Sequence, residues 1–284
     1  MRHQMHDFRR NIPMDEVMRT NMYPHIHALG WPGHAAAWAL DREGMDRAQP
    51  VRLTMLRESD APGPQWPQRD DLWLWFGAET DTQGDLAACL SEAELERAGR
   101  FRLPQDTWSY MAAHAGLRRL LARLLGEMPR SIRFHALPGG KPVLCPLRYT
   151  ARRAAALQFS ISHSRGLVAV ALSGSPVGVD VERVRPLPDM EQLIARFMAP
   201  ETLAAFRALP APQDRIALFY RNWTLGEAWV KATGKGIGEG FASLAFTRSG
   251  PPRLTMTPPE LGPPERWHLG HSAATGAGKQ AQAA

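Results

Sequence analysis

Cysteine is scarce in this chain, with only Cys89 and Cys145 among 284 residues. Two cysteines cannot form a disulfide framework, and no CxxC pair or Cys/His cluster indicates a zinc site. Long apolar runs are also missing, because proline and charged residues interrupt every apolar stretch before it could span a bilayer. Neither an apolar segment nor a small-residue cleavage site follows Arg2, Arg9 and Arg10, which argues against a signal peptide. We therefore expect a cytoplasmic protein with reduced thiols and no membrane association.

Positive charge is in excess, with a formal net charge of +6 and a pI of about 9.8. This balance favours anionic partners, such as nucleotides, phosphates, nucleic acids or acidic proteins, without choosing among them. The composition is otherwise that of an ordinary globular protein, with 44% apolar and 22% charged residues. Because no helix-turn-helix, zinc finger or aromatic-basic motif is visible, we expect no nucleic-acid partner.

Four regions with different patterns follow one another along the chain. Residues 1–70 are rich in Met, His, Pro and Arg and predict a poorly structured extension, apart from a short helix at residues 35–40. Residues 71–175 and 176–270 alternate apolar runs with turn signals and predict two folded halves. Residues 271–284 are rich in Ala, Gly and Gln and predict a disordered tail.

The two halves mix predicted strands and helices without a regular βαβ alternation, which indicates the α+β class. An apolar run predicts a buried strand at residues 71–76, and Ser91 with Glu94 forms a capping box at the start of a helix. Further strands are predicted at residues 132–134, 157–162, 167–172, 177–182 and 244–246, and helices at residues 108–125, 189–197, 200–209 and 216–232.

Two carboxylates share one face of the strand at residues 177–182. Side chains alternate between the faces of a strand, so Asp180 and Glu182 point the same way, about 7 Å apart. Neighbouring carboxylates repel each other unless a cation or base lies between them, and Mg²⁺ prefers such oxygen ligands. A solvated strand face, with Arg183 and Arg185 as partners, is the simpler interpretation of this pattern alone.

A predicted helix carries a third carboxylate. At residues 216–232, Trp223, Glu227 and Lys231 recur every four residues and share one stripe. Glu227 could complete a metal site while Lys231 contacts a phosphate. Alternatively, the two form an exposed ion pair worth about 0.3–0.5 kcal/mol, which is the simpler interpretation in isolation.

Hydroxyl residues and a histidine end the strand at residues 157–162. Ser162 and His163 could donate hydrogen bonds to phosphate oxygens, or they could cap a turn. A Ser–His nucleophile and base is a weaker alternative, because adjacent strand residues face opposite sides and no G-x-S-x-G elbow is present.

The order of the motifs is more specific than any one of them. The segments GKP (140–142), FSISHS (159–164), GVDVE (178–182) and WTLGEAWVKATGKG (223–236) follow one another in the chain. In this combination the chain resembles the 4′-phosphopantetheinyl transferases of the longer, surfactin-type group, over about residues 71–250. The resemblance implies a monomer that folds as a pseudo-dimer of two similar α+β halves, with coenzyme A bound in the cleft between them.

The resemblance also implies the residues of the site. Asp180, Glu182 and Glu227 would hold Mg²⁺ together with the pyrophosphate of coenzyme A, which Lys231 would contact. The nucleotide end and its 3′-phosphate would be bound by a set of polar and basic residues, namely Lys141, Ser162, His163, Arg97 and Arg118. Arg118 is equally compatible with a solvated helix face.

The implied reaction transfers 4′-phosphopantetheine from coenzyme A to a serine hydroxyl of an acyl or peptidyl carrier protein and releases adenosine 3′,5′-bisphosphate. Asp180 would act as a metal ligand and Glu227 as the general base, and Lys231 would stabilise charge on the leaving side. Two alternatives remain open. One is a non-catalytic homologue that binds coenzyme A or a carrier protein, and the other is a metal-dependent enzyme acting on a free nucleotide pyrophosphate.

One position departs from the family pattern. Gly226 stands where the family usually has lysine, which removes a positive charge near the phosphates and places glycine inside a helix, at about 1 kcal/mol of helix propensity. Lys235 is a candidate to compensate. From the sequence we expect Gly226→Lys to change activity only modestly.

Overall fold

A computed structural model describes residues 33–45, 50–56, 66–78, 84–235 and 241–273. The strands are β1 (His34–Asp41), β2 (Arg52–Leu56), β3 (Asp71–Ala78), β4 (Phe134–Ala136), β5 (Pro142–Leu144), β6 (Gln158–Ser164), β7 (Leu167–Ser173), β8 (Val177–Arg183), β9 (Ala245–Phe246), β10 (Leu254–Met256) and β11 (Trp267–Ala273). The α-helices are α1 (Glu92–Ala98), α2 (Pro104–Leu125), α3 (Ala151–Ala155), α4 (Met190–Phe197), α5 (Pro200–Ala208) and α6 (Pro212–Thr233).

Two sheets, each covered by one long helix, confirm the α+β class and the two-half architecture. The four-stranded sheet has the order β2-β3-β7-β6, and α2 packs against β6 and β7. The three-stranded sheet has the order β11-β1-β8, and α6 packs against β1 and β8. The short hairpins β4–β5 and β9–β10 flank these layers. Among the described residues, no helix is long and apolar enough to cross a membrane.

The two long helices begin and end with the same chemistry. Both span 22 residues and begin with proline, whose missing N–H would have no partner in the first turn. Each ends at a glycine in the left-handed conformation, Gly126 at φ 67° and Gly234 at φ 75°. The helices predicted at residues 108–125 and 216–232 are therefore confirmed, but each begins earlier, at its proline.

The core of the described residues has three large clusters and a small fourth one around Leu90. Leu117, Leu121 and Phe159 anchor the cluster under α2, and Phe219 and Trp229 anchor the cluster under α6. A third cluster lies between the sheets and is built from apolar residues of both, namely Trp38, Leu40, Leu72, Leu167, Val177 and Val179. Because β7 is buried on both faces, it reads in the sequence as a continuous apolar run.

The region at residues 1–70 contains two strands, which corrects the expectation of a poorly structured extension. β1 is the central strand of its sheet and pairs antiparallel with β8 and β11, so that Ala37 lies opposite both Asp180 and His271. Its alanines favour a helix locally, but burial and pairing override that propensity, and the helix predicted at residues 35–40 is wrong. Residues 1–32, 46–49 and 57–65 lie outside the described part.

The other predicted elements are confirmed within a few residues, including the Ser91–Glu94 capping box at the start of α1. The last strand, β11, was not predicted and occupies residues 267–273, so it includes the first residues of the segment expected to be a disordered tail. Residues 274–284 lie outside the described part.

Candidate active site

Serine side chains join the two sheets along a seam between β6 and β8. These strands belong to different sheets, so backbone pairing does not connect them. Instead, the hydroxyls of Ser160, Ser162 and Ser164 accept hydrogen bonds from backbone N–H groups of β8, at 3.1, 3.3 and 3.1 Å. We call these three residues the serine seam. It brings motifs from both halves of the chain into contact.

Asp180 lies at the centre of the seam and is 3% exposed. Its Oδ1 accepts hydrogen bonds from the Ser162 hydroxyl at 2.8 Å and from the Lys231 ammonium at 2.7 Å. Lys231 also donates to the Ser162 hydroxyl at 2.9 Å. The other oxygen, Oδ2, is buried and has no hydrogen-bond partner among the described residues. An unpaired buried carboxylate oxygen is costly, and a cation would satisfy it.

Backbone contact brings α6 close to these carboxylates. A Cβ atom at Gly178 would lie 1.8 Å from the carbonyl oxygen of Ala228, so only glycine allows β8 and α6 to approach this far. Glu227, next to Ala228 in the chain, is therefore held beside Asp180 and Glu182.

The two glutamates show how strongly the carboxylates affect one another. Burial, followed by the charge of Asp180, raises the pKa of Glu227 to about 7, and Lys231 only partly opposes this. Burial and the charge of Asp180 also raise the pKa of Glu182, while a hydrogen bond from Ser164 at 2.9 Å acts in the opposite direction. The site therefore holds more negative charge than its own lysine compensates.

The donor set fits a hard divalent cation, which prefers carboxylate oxygens. The side chains do not form a ready-made cluster, since no three His, Cys, Asp or Glu residues in the described ranges are arranged to hold a metal ion. Lys231 pairs with Asp180 instead. A cation at these carboxylates would compete with Lys231 for Asp180.

A cavity of about 410 Å³ opens beside the seam, between the two halves. Its lining includes Lys141, Phe159 and Ile161 from the first half, and Lys231, Gly234 and Lys235 from the second. The volume is in the usual range for small-molecule sites. Three lysines on partly apolar walls suit a ligand that carries several negative charges and an apolar group.

Lys141 ties the halves together at this cavity. Its ammonium donates to the carbonyl oxygens of Ala232, at 2.7 Å, and of Val177, at 3.3 Å. Burial lowers its pKa to about 8. The neighbouring Gly139 lies against the end of α6, because a Cβ there would be 1.8 Å from the Gly234 carbonyl oxygen.

His163 and Arg97 lie on either side of Tyr110, outside the carboxylate group. The rings of His163 and Tyr110 are nearly perpendicular with centroids 6.2 Å apart, and the Arg97 guanidinium lies 5.9 Å from the centre of the Tyr110 ring. Desolvation by surrounding protein atoms and the charge of Lys231 lower the pKa of His163 to about 4. The sequence analysis did not identify Tyr110, because no motif distinguishes it from the other residues of its predicted helix.

Arg118 is not brought to the cleft. It is 3% exposed, and its Nε donates to Glu94 at 2.8 Å. Its Nη1 donates to the carbonyl oxygens of Pro129 and Ile132, at 2.8 and 3.1 Å. A guanidinium so committed cannot bind a phosphate of coenzyme A without breaking these bonds. It does not lie on a solvated helix face either.

Gly226 is needed for packing. A Cβ there would lie 2.3 Å from the ring of Phe241, which also contacts Trp223 at a centroid distance of 5.5 Å. Position 226 is buried within the second half, so a lysine would collide with Phe241. From the structure we therefore expect Gly226→Lys to disrupt the packing around Phe241, in contrast to the modest effect expected from the sequence.

Comparison with known proteins matches both halves. The family model for "4′-phosphopantetheinyl transferase, N-terminal" matches residues 75–175, and that for "4′-phosphopantetheinyl transferase superfamily" matches residues 176–284. The 4′-phosphopantetheinyl transferase HetI of Nostoc is 37% identical over 195 residues, which cover 66% of this chain and 80% of HetI. The chain belongs to the 4′-phosphopantetheinyl transferase superfamily. The resemblance expected from the motifs is confirmed.

Two further members of the superfamily are more distant. The 4′-phosphopantetheinyl transferase psf-1 of Bacillus pumilus is 28% identical over 163 residues, covering 57% of this chain and 66% of psf-1. The human L-aminoadipate-semialdehyde dehydrogenase-phosphopantetheinyl transferase is 28% identical over 195 residues, covering 66% of this chain and 61% of the human protein. In the present chain, the boundary between the two regions matched by the family models falls between β7 and β8. The serine seam therefore connects the two regions.

Proposed function

We propose that this protein transfers the 4′-phosphopantetheine group of coenzyme A to a serine hydroxyl of an acyl or peptidyl carrier protein. It would act as a cytoplasmic monomer, since one chain supplies both sides of the cleft. The observation that carries the proposal is the group of three crowded carboxylates beside a lysine-lined cavity between the two halves.

Coenzyme A suits the cavity in charge and shape. Its pyrophosphate and 3′-phosphate need several cations, which Lys141, Lys231 and Lys235 supply. Its adenine ring needs an apolar wall, which Phe159 and Ile161 offer. Ser162 lies at the seam, where its hydroxyl already bonds Lys231, and His163 with Arg97 extends the polar surface outward.

Asp180, Glu182 and Glu227 would hold Mg²⁺, whose charge neutralises the pyrophosphate oxygens and so favours phosphoryl transfer. The unpaired Oδ2 of Asp180 and the raised pKa of Glu227 support this assignment. Lys231 adds positive charge on the side of the leaving group.

The reaction breaks the phosphoanhydride bond of the coenzyme A pyrophosphate and forms a phosphodiester with the carrier-protein serine. The serine oxygen of the carrier protein bonds to the phosphorus that bears pantetheine, and the bond from that phosphorus to the bridging oxygen breaks. Glu227 takes the hydroxyl proton. The bridging oxygen leaves with adenosine 3′,5′-bisphosphate.

An acidic carrier protein suits the surface on the other side of Glu182. A groove of about 200 Å³ there is rimmed by three exposed arginines, Arg165, Arg183 and Arg185. Its apolar floor includes Leu187 and Leu193. Positive charge around an apolar groove favours docking of an acidic protein surface next to the carboxylates.

The test is the intact mass of an apo carrier protein after incubation with this protein, coenzyme A and Mg²⁺, with and without EDTA. We expect a mass gain of one phosphopantetheine that EDTA abolishes. Coenzyme A binding, measured by calorimetry on the same sample, serves as the control. Binding without any mass gain across acyl and peptidyl carriers would overturn the proposal in favour of a non-catalytic homologue.

A further inference from the structure

The serine seam repeats one hydrogen-bond arrangement along the strand pair. Ser162 accepts from the N–H of Val181 and donates to the carboxylate of Asp180. Ser164 accepts from the N–H of Arg183 and donates to Oε2 of Glu182. In both cases the hydroxyl bonds one carboxylate and the backbone N–H of the next residue. Because strand side chains repeat every two residues, alternate serines meet alternate residues of β8.

Ser160 makes only half of this arrangement. Its hydroxyl accepts from the N–H of Val179, at 3.1 Å. The position before Val179 is Gly178, which has no side chain and cannot have one, because Ala228 is too close. Ser160 therefore supports the join between the sheets, whereas Ser162 and Ser164 additionally hold carboxylates.

The Ser164 hydroxyl has its orientation set from two sides. A serine hydroxyl has one proton to donate. The N–H of Arg183 occupies an acceptor position of the oxygen, and the proton points to Glu182 at 2.9 Å. Glu182 is only partly buried, and its other side-chain donor is Trp223. Without the Ser164 bond the carboxylate would be held from one side only and would have more rotamers available.

We propose that Ser164 is a positioning residue that holds the Glu182 carboxylate in place for a divalent cation. The inference rests on the proposed function, since it deepens the role of the same carboxylate group. Ser164 acts through Glu182 and through the backbone of β8. Position 164 is thus part of the metal site, although no sequence motif marked it apart from its neighbours Ser162 and His163.

The chain supplies a matched control. Ser160→Ala and Ser164→Ala each remove one bond from a serine hydroxyl to the backbone of β8, but only Ser164→Ala removes a bond to a carboxylate. Both variants are expected to lower the unfolding temperature, Ser164→Ala by more because it removes two hydrogen bonds. Only the second is expected to weaken metal binding.

The experiment measures Mn²⁺ binding to the full chain, by calorimetry and by the loss of the free Mn²⁺ signal in electron paramagnetic resonance. We expect Ser164→Ala to bind Mn²⁺ about five- to tenfold more weakly than wild type, because a hydrogen bond to a charged group is lost. Ser160→Ala should stay within about twofold of wild type, and Ser164→Thr, which keeps the hydroxyl, should restore affinity.

Each outcome distinguishes the two proposals. If wild type binds Mn²⁺ and Ser164→Ala binds equally well, the positioning role is overturned while the proposed function stands. If wild type binds no Mn²⁺ and transfers no phosphopantetheine, the proposed function itself fails. Should Ser164→Ala not fold, Ser164→Thr and Ser164→Val provide a pair of similar shape that differs in the hydroxyl, and equal Mn²⁺ affinity in that pair would likewise overturn the role.

Discussion

The two halves of this molecule place a long helix on a sheet in the same way but handle buried charge in opposite ways. In the first half, Arg118 of α2 is buried and paired with Glu94, and the surrounding bonds satisfy both groups. Burial alone would raise the pKa of Glu94, but hydrogen bonds from His114 and Ser91 and the charge of Arg118 lower it to about 2. In the second half, Glu227 of α6 faces two further carboxylates, and its pKa rises to about 7. The first arrangement stabilises the fold, while the second costs stability that a bound cation would recover.

Glycines under aromatic rings are shared by both halves. A Cβ at Gly116 of α2 would lie 2.4 Å from the ring of Trp75, just as one at Gly226 of α6 would lie 2.3 Å from Phe241. Glycine lowers the helix propensity of each long helix, but it allows an aromatic ring to pack directly against the helix backbone. The halves therefore agree in how they pack and differ in what their charges do.

The largest expected effect is on activity, at the carboxylates of the second half. Asp180→Ala and Glu227→Ala should each lower phosphopantetheine transfer by about a thousandfold or more, because the proposed cation would lose a ligand. The unfolding temperature of Glu227→Ala should stay near that of wild type, since the change relieves repulsion. That of Asp180→Ala should fall modestly, because Ser162 and Lys231 lose their shared acceptor. Intact mass of the carrier protein measures transfer. The exposed Glu191 of α4, paired with Arg207, offers the control Glu191→Ala, and wild-type turnover by either site variant would contradict the assignment.

For the charge pair of the first half, we expect a loss of stability instead of a direct loss of activity. Arg118→Met leaves Glu94 buried without its guanidinium partner and should destabilise the protein by about 3 kcal/mol, as breaking a buried ion pair does. Urea unfolding measures this free energy. Arg207→Met, which removes an exposed pair, should cost under about 1 kcal/mol. Equal effects of the two variants would show that Arg118 is not a structural residue.

The pH dependence of the unfolding free energy should also reflect the buried charge pair of the first half. The pKa of Glu94 is below its value in the unfolded chain, so its contribution to stability is complete above pH 4.5 and is lost as the pH falls toward 2. The shift from 4.5 to about 2 corresponds to roughly 3 kcal/mol. Glu94→Gln should therefore flatten the decrease in unfolding free energy across that pH window. Parallel curves for variant and wild type would contradict the shift.

The smallest expected effects concern the two glycines. Gly226→Ala and Gly116→Ala should each destabilise the protein by about 1–2 kcal/mol, because overpacking against a ring outweighs the gain in helix propensity. Gly226→Lys should be worse, since its side chain has no room beside Phe241. A double-mutant cycle with Phe241→Ala measures the coupling. If Gly226→Ala is equally destabilising with and without the Phe241 ring, the steric explanation fails.

Local pattern was enough to predict most of the helices and strands. Strand and helix periods, the Ser91 capping box and the order of the four motifs are properties of short segments, so they predicted β6, β7, β8, α2 and α6 correctly. Asp180, Glu182, Glu227 and Lys231 were joined as a set only through the family resemblance that the order of the motifs carried. The motifs did not indicate Ser164 as a partner of Glu182, although the alternating serines of residues 160–164 carried that signal.

The sequence by itself determined the family, the α+β class and the residue types that meet in the cleft, because these depend on spacing and chemistry along the chain. Tertiary structure alone decided that residues 34–41 form a central strand, that Arg118 pairs with Glu94, and that Gly226 makes room for Phe241. In each of these cases the deciding partner is distant in sequence. The structural role of a helix-favouring segment, a charged residue or a glycine therefore cannot be predicted before its contact partner is known.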